Sequence, residues 1–102
     1  MLFRSITQLT DALKDSDENI RRCAADALAS IGPDAREAVQ SLTGTLKDDC
    51  REVRVAAVRA LGSIGGSDTY SVVRALRDAD QEEDEILHNE IQRALKQILP
   101  EE

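Results

Sequence analysis

The chain has 102 residues, and its 20 Asp and Glu outnumber 13 Lys and Arg to give a formal net charge of −7. That balance argues against a nucleic-acid partner, because neutralising phosphates takes a stripe of Lys and Arg, and equally against an anionic membrane surface. No apolar run approaches the roughly 18–20 residues that span a bilayer, and Met1 to Ser5 runs at once into polar residues without a signal-type apolar segment. The expected setting is therefore reducing and cytoplasmic. With no Trp, one Phe and one Tyr, the core has to be built from Leu, Ile, Val and Ala, which suits closely packed helices.

Helical spacing recurs from end to end, with no strand signal. Leu2, Ile6, Leu9 and Leu13 fall on one face of a first element. Ile20, Cys23, Ala24, Ala27, Leu28 and Ile31 make the stripe of a second, so that Cys23 is expected to be buried. Ala35, Ala38, Val39, Leu42 and Leu46 define a third, and Val53, Ala56, Ala57, Ala60, Leu61 and Ile64 a fourth. Val72, Val73 and Leu76 form a short fifth stripe, and Leu87, Ile91, Ala94, Leu95 and Ile98 a longer sixth. Gly32-Pro33 and Gly65-Gly66 end the second helix of each pair, with Pro33 suited to the first position of the next helix. Asp15 to Asp17 and Asp48-Asp49 sit at the turn inside each pair, where a carboxylate caps the following helix, and Pro100 stops the last one.

These stripes belong to a repeat. Residues 9–32 (LTDALKDSDENIRRCAADALASIG) and 42–65 (LTGTLKDDCREVRVAAVRALGSIG) align without gaps at an offset of 33, with 12 of 24 positions identical. In a weaker third copy, Leu76-Arg77-Asp78 matches Leu46-Lys47-Asp48 at an offset of 30, whereas Ala94 to Ile98 matches Ala60 to Ile64 at 34. Four extra residues therefore fall within the acidic stretch 78–85. The run L-K-D-x-x-x-x-[I/V]-R-x-x-A-x-x-A-L-x-S-I-G at 13–32 and 46–65 resembles the HEAT repeat, in particular the short HEAT-like repeats of the phycobilisome-lyase type. The resemblance implies an all-α solenoid of three antiparallel helix pairs, six helices in all, forming a single domain over 1–102 with repeats at about 1–32, 33–65 and 66–100. It also implies that the turn residues Asp15, Asp48 and Asp78 pair along the stack with Arg21 and Arg54. In the third copy His88 replaces the arginine, which weakens that ladder.

Chemical sites find little support. Cys23 and Cys50 match no zinc spacing. The repeat register sets them too far apart for a disulfide, so both are expected free, with Cys50 at a turn. His88-Asn89-Glu90 stands where some HEAT-like proteins carry an iron-binding His-Glu dyad. Here, however, Asn89 takes the His position, and the other copies supply no second dyad. The stretch 78–85 fails the calcium-loop pattern, with Glu83 at the glycine position and Asn89 at the terminal glutamate position. One histidine with no placed nucleophile gives catalysis no footing. The expectation is no metal, no cofactor and no enzymatic activity.

A surface offers more. In such a solenoid the second helices line a concave face, and positions off the core stripe point outward there. Val55 and Val58 are apolar where the pattern calls for polar residues, and Arg22, Arg59 and Arg93 surround them in register. An apolar centre with an arginine rim is the composition of a protein or peptide site. The competing reading, that the two valines extend a wide core stripe, is equally open. The expected function is non-catalytic scaffolding through Arg22, Val55, Val58, Arg59 and Arg93. The alternative implied by the resemblance is a subunit or chaperone of a phycobilin lyase-like enzyme. Leu2, Phe3 and Ile6 at one end, and Ile86, Leu87 and Leu99 at the other, are not obvious polar caps, so end-to-end self-association through the terminal helices is a further expectation.

Overall fold

The computed structural model describes residues 5–65, 69–80 and 84–99. Leu2, Phe3, Gly66, Gln81, Glu82, Glu83 and Pro100 lie outside the described residues. Helix α1 (Ile6–Ala12) opens with a reciprocal cap: Ser5 Oγ accepts from the Gln8 amide at 3.1 Å, and Gln8 Oε1 accepts from the Ser5 amide at 3.2 Å. Helix α2 (Glu18–Ile31) starts from Asp17, whose carboxylate accepts from the Asn19 amide at 2.8 Å, and ends at Gly32 with φ +78°. A side chain there would strain against the backbone, which is why glycine closes the helix.

The next segment departs from expectation. Gly32–Ala38 is a 3-10 segment, with Ala35 bent out of helical geometry at φ −91°, ψ 20°, and only then does the short α3 (Val39–Thr45) begin. The buried residues of the segment are Gly32, Ala35 and Ala38. Their three-residue spacing keeps them on one side at three residues per turn, whereas an α-helix would rotate them away from the core. The expectation of six helices is therefore not supported, because the third, read from the stripe Ala35 to Leu46, is broken into a 3-10 segment and a short helix. Helix α4 (Arg51–Ile64) follows from Cys50 and ends at Gly65 with φ +65°. Then come α5 (Thr69–Ala79) and α6 (Glu85–Ile98), the latter capped by Asp84 Oδ1 on the amides of Ile86 and Leu87. The described residues are all helix and turn, with no strand.

The helices form two layers. Helices α2, α4 and α6 lie side by side in one, and α1, the 3-10 segment with α3, and α5 make the other, each packed on its successor. Fully buried Leu28, Leu42, Leu61, Leu76 and Ile91 lie in the core between the layers. Helix α4 is the middle of its layer, in contact with both α2 and α6. Gly62 lets α6 come close: a methyl at that position would sit 3.0 Å from the Cα of Ala94 and 2.5 Å from Gln97 Oε1. On the other side Ser63 Oγ donates to the Ala29 carbonyl at 2.6 Å, tying α4 to α2.

Position in the stack overrides the pattern in α2. Its stripe was expected to be core, yet Ile20 is 44% exposed, Ile31 is 37% exposed and Cys23 is exposed. The equivalent residues of α4, namely Val53, Ile64 and Ala56, are buried. Helix α2 has a neighbour in its layer on one side only, so the Ile20, Cys23 and Ile31 edge of the stripe faces outward while Ala24 and Leu28 stay buried. Cys23 and Cys50 are both free thiols, Cys50 at the turn before α4.

Two glycine substitutions separate close packing from helix propensity. Gly62→Leu forces α4 and α6 apart and should lower stability by about 1–3 kcal/mol. Gly44→Ala, at an exposed position of α3 where a methyl meets nothing within 4 Å, should raise it by about 0.5–1 kcal/mol. Urea denaturation followed by circular dichroism measures both.

Candidate functional site

Two repeated arginines organise the turn end of the stack. Arg21 donates through Nη1 to the carbonyls of Asp15 and Ser16, at 2.8 and 3.1 Å. Arg54, its repeat equivalent, does the same to Asp48 and Asp49, at 2.7 and 3.3 Å. Each guanidinium thus closes the turn of its own pair. Arg21 also reaches across to the next pair, where Nε and Nη2 grip both carboxylate oxygens of Asp48 at 2.7 and 3.1 Å. Asp48 Oδ1 in turn accepts from the Cys50 amide. Burial pushes the Asp48 carboxyl up, but the Arg21 hydrogen bond, the Cys50 amide and the charges of Arg21 and Arg54 outweigh it and hold it below its ordinary value. His88, in the arginine position of the third pair, turns instead to Asp80, with Nδ1 at 2.8 and 3.0 Å from its two oxygens.

The five residues expected to form a binding surface separate in the structure. Arg22, Val55 and Arg59 come together with Asp26, Arg51, Glu52, Ala56 and Ile86 around an open groove of about 370 Å³ on the α2–α4–α6 layer. Val58 is 0% exposed and Val55 only 9%. The expected solvent-facing valine centre is therefore corrected: Val58 is core, and Val55 shows little more than an edge. Both lie on a helix covered from two sides, so positions that would face water in an outermost helix are closed here. Ile86, 53% exposed, supplies much of the accessible apolar surface instead. Its spacing from the α6 stripe gave no hint of a role in this groove.

Arg93 lies apart from the groove in an ion cluster centred on Glu90. Arg59 approaches Glu90 in fork geometry, Nε to Oε1 at 3.1 Å and Nη2 to Oε2 at 3.0 Å, and Arg93 Nη1 adds a contact to Oε2 at 3.3 Å. Glu90, set aside above as a metal ligand, is 8% exposed. Repeat register could have found it, since Glu90 occupies the position of buried Ala56. The Arg59 hydrogen bond is the main cause that holds its carboxyl below the ordinary glutamate value, against an opposing push from burial and with help from the charges of Arg59 and Arg93.

A second, broader groove of about 1090 Å³ lies on the opposite layer, where the end of α1, α3 and the end of α5 meet, with Leu13, Thr43, Gly44, Lys47, Ala75 and Asp78 among its lining. Among the described residues no three His, Cys, Asp or Glu side chains gather as a metal site would require, and no helix is long and apolar enough to cross a membrane. A family model described as HEAT repeats matches residues 6–96. No curated protein matches the chain.

These two depressed carboxyls, together with those of Glu52 and Asp84, give stability a defined acid dependence. A carboxyl whose folded pKa lies below its unfolded value, near 3.9 for Asp and 4.3 for Glu, contributes stability that is fully present above that value and is lost as pH falls through the folded one. Melting temperature should therefore fall as pH drops below about 4. Glu90→Gln should be less stable than the wild type at neutral pH and show a shallower acid decline. Thermal melts at a series of pH values read both effects.

Proposed function

The chain belongs to the HEAT-repeat family, and we propose from that premise that it works as a non-catalytic scaffold whose α2–α4–α6 face receives a protein or peptide. HEAT repeats generally mediate protein binding. The groove bounded by Arg22, Asp26, Arg51, Arg59 and Ile86 carries the proposal. Ile86, with the edges of Val55 and Ala56 beneath it, lies among three arginines and two acids, the mixture of apolar area and arginine that recurs where proteins bind proteins. Helices of this layer touch along their length while α3 and α5 meet at few points, and such unequal spacing supports a concave curvature on the groove side. Arg22, Val55 and Arg59 keep their place in the proposal, Ile86 and Arg51 join them, and Arg93 acts at the rim through Glu90.

The finer family placement, short HEAT-like repeats of the phycobilisome-lyase type in three helix pairs at about 1–32, 33–65 and 66–100, rests on the sequence motif. So does the rival role as a subunit or chaperone of a phycobilin lyase-like enzyme. A change in the visible spectrum of added bilin would favour that rival. The groove itself is shallow and open, and suits a polypeptide better than an enclosed chromophore.

Arg22→Glu combined with Ile86→Asp changes two exposed groove residues without entering the core. Affinity capture with this variant should lose the partner retained by the wild type, a weakening of about 2 kcal/mol or more, while the helical circular dichroism and melting temperature stay close to wild type. Gln40→Glu with Lys47→Glu, on the opposite layer, should retain it. Loss of the partner with the second variant and retention with the first would place binding on the α1–α3–α5 side instead.

A further inference from the structure

The two ends of the α2–α4–α6 layer are chemically unlike. In α6, Glu90 meets Arg59 of α4, and Ala94 lies against Gly62 of α4, so the stripe Leu87, Glu90, Ala94 faces the preceding pair. Its equivalents in α4, namely Val53, Ala56 and Ala60, are buried at 0–3% exposure. In α2 the same stripe is Ile20, Cys23, Ala27 and Ile31, and it is bare over Ile20, Cys23 and Ile31. The ladder stops at the same place. Asp15 corresponds to Asp48, and its Oδ1 takes the Asp17 amide at 2.9 Å just as Asp48 takes the Cys50 amide at 2.9 Å. Asp48 is also gripped by Arg21 of the preceding pair, whereas among the described residues no cation pairs with Asp15.

Both halves of the inter-repeat interface are thus presented unfilled at the α2 end: an aliphatic stripe, and a turn aspartate held in position by its own loop. The residues of α6 that correspond to the forward contacts of α4 cannot fill them. Asn89, Gln92, Arg93 and Lys96 are all exposed and polar, and His88 stands where the ladder arginine belongs. A second copy stacked head to tail would set these polar groups on Ile20 and Ile31.

We propose that the α2 end face, made of Asp15, Ile20, Cys23, Ala27 and Ile31, docks a further HEAT-type helix pair, one that brings an arginine to Asp15 and a small-residue or β-branched face to the stripe. The occupant follows from continuity with the α2–α4 and α4–α6 interfaces, which repeat that pairing within the molecule. This surface is separate from the α2–α4 groove, and the proposal stands independently of the function assigned there.

A probe with the required face can be made from the chain itself. His88→Arg, Asn89→Val, Gln92→Val and Lys96→Gly give α6 the forward face of α4, while Ile20→Glu and Ile31→Glu block the probe's own α2 end. Mixed with wild type, this probe should form a 1:1 complex by sedimentation velocity and should slow maleimide labelling of Cys23 in a wild-type partner carrying Cys50→Ser. Asp15→Asn in the partner should weaken the complex several-fold, and Ile20→Glu with Ile31→Glu should weaken it by about tenfold or more. If circular dichroism shows the full probe to be unfolded, Asn89→Val with Lys96→Gly in the same blocked background serves in its place. Absence of a complex with a folded probe overturns the proposal. So does a complex indifferent to the two isoleucine substitutions, and so does a wild-type homodimer that those substitutions dissolve, which would make a second copy the occupant.

Discussion

Because Gly62 carries no side chain, α4 and α6 approach until a methyl group at that point would contact the Ala94 backbone. On the opposite flank, α4 is close enough to α2 for Ser63 to reach the Ala29 carbonyl. The rest of the molecule depends on this two-sided closeness of α4. It buries Val53, Val55, Ala56, Val58, Ala60 and Ile64 on a single helix, more of its surface than a helix with one neighbour can hide. Each buried valine or isoleucine contributes on the order of 1.5–3 kcal/mol relative to exposure, so the central helix carries a disproportionate share of the stability of a small domain. The arginine bridges to Asp48 and Glu90 then fix the direction and register of packing more than its strength, since their cations are partly or largely solvated.

The groove is a by-product of the same arrangement. Arg22, Asp26, Arg51 and Glu52 stand around Val55 and Ala56 where α2 and α4 meet, and Ile86 closes the side from α6. Arg59 is held at this edge by its fork to Glu90, which fixes the guanidinium plane in advance of any partner. Preorganisation of that kind lowers the ordering cost of association. It also means that Arg59 has two duties, so substituting it disturbs packing and surface together, whereas Arg22 and Ile86 answer to the surface alone.

Much of the fold was legible because the chain repeats itself: twelve identities between 9–32 and 42–65 place the helices, the turns and both positive-φ glycines. The turn arginines were legible for the same reason. The break at Ala35 was not, since a stripe of alanines at three- and four-residue spacing reads equally as either kind of helix until the neighbouring layer selects one. The isoleucines at 20 and 31 were read as core, and the valines at 55 and 58 were left open between groove and core, for a single reason. Local periodicity marks the residues a helix turns toward its own pair, and it carries no information about how many neighbours the helix has in the stack. Glu90 was missed because a carboxylate at a stripe position looks like an interruption until its arginines are seen to come from α4 and from α6 itself.

The polar face of α6 has a consequence for how far any such assembly can grow. An interface that joins the back of one subunit to the front of the next is heterologous, and unless its rotation closes a ring it propagates into an open fibre. An end-to-end stack of identical helical pairs is the simplest route to that outcome. Here Asn89, Gln92, Arg93 and Lys96 remove one of the two matching surfaces, so translation along the axis stops after a single step. Copies of this chain therefore lack the matched pair of faces that a self-propagating stack requires.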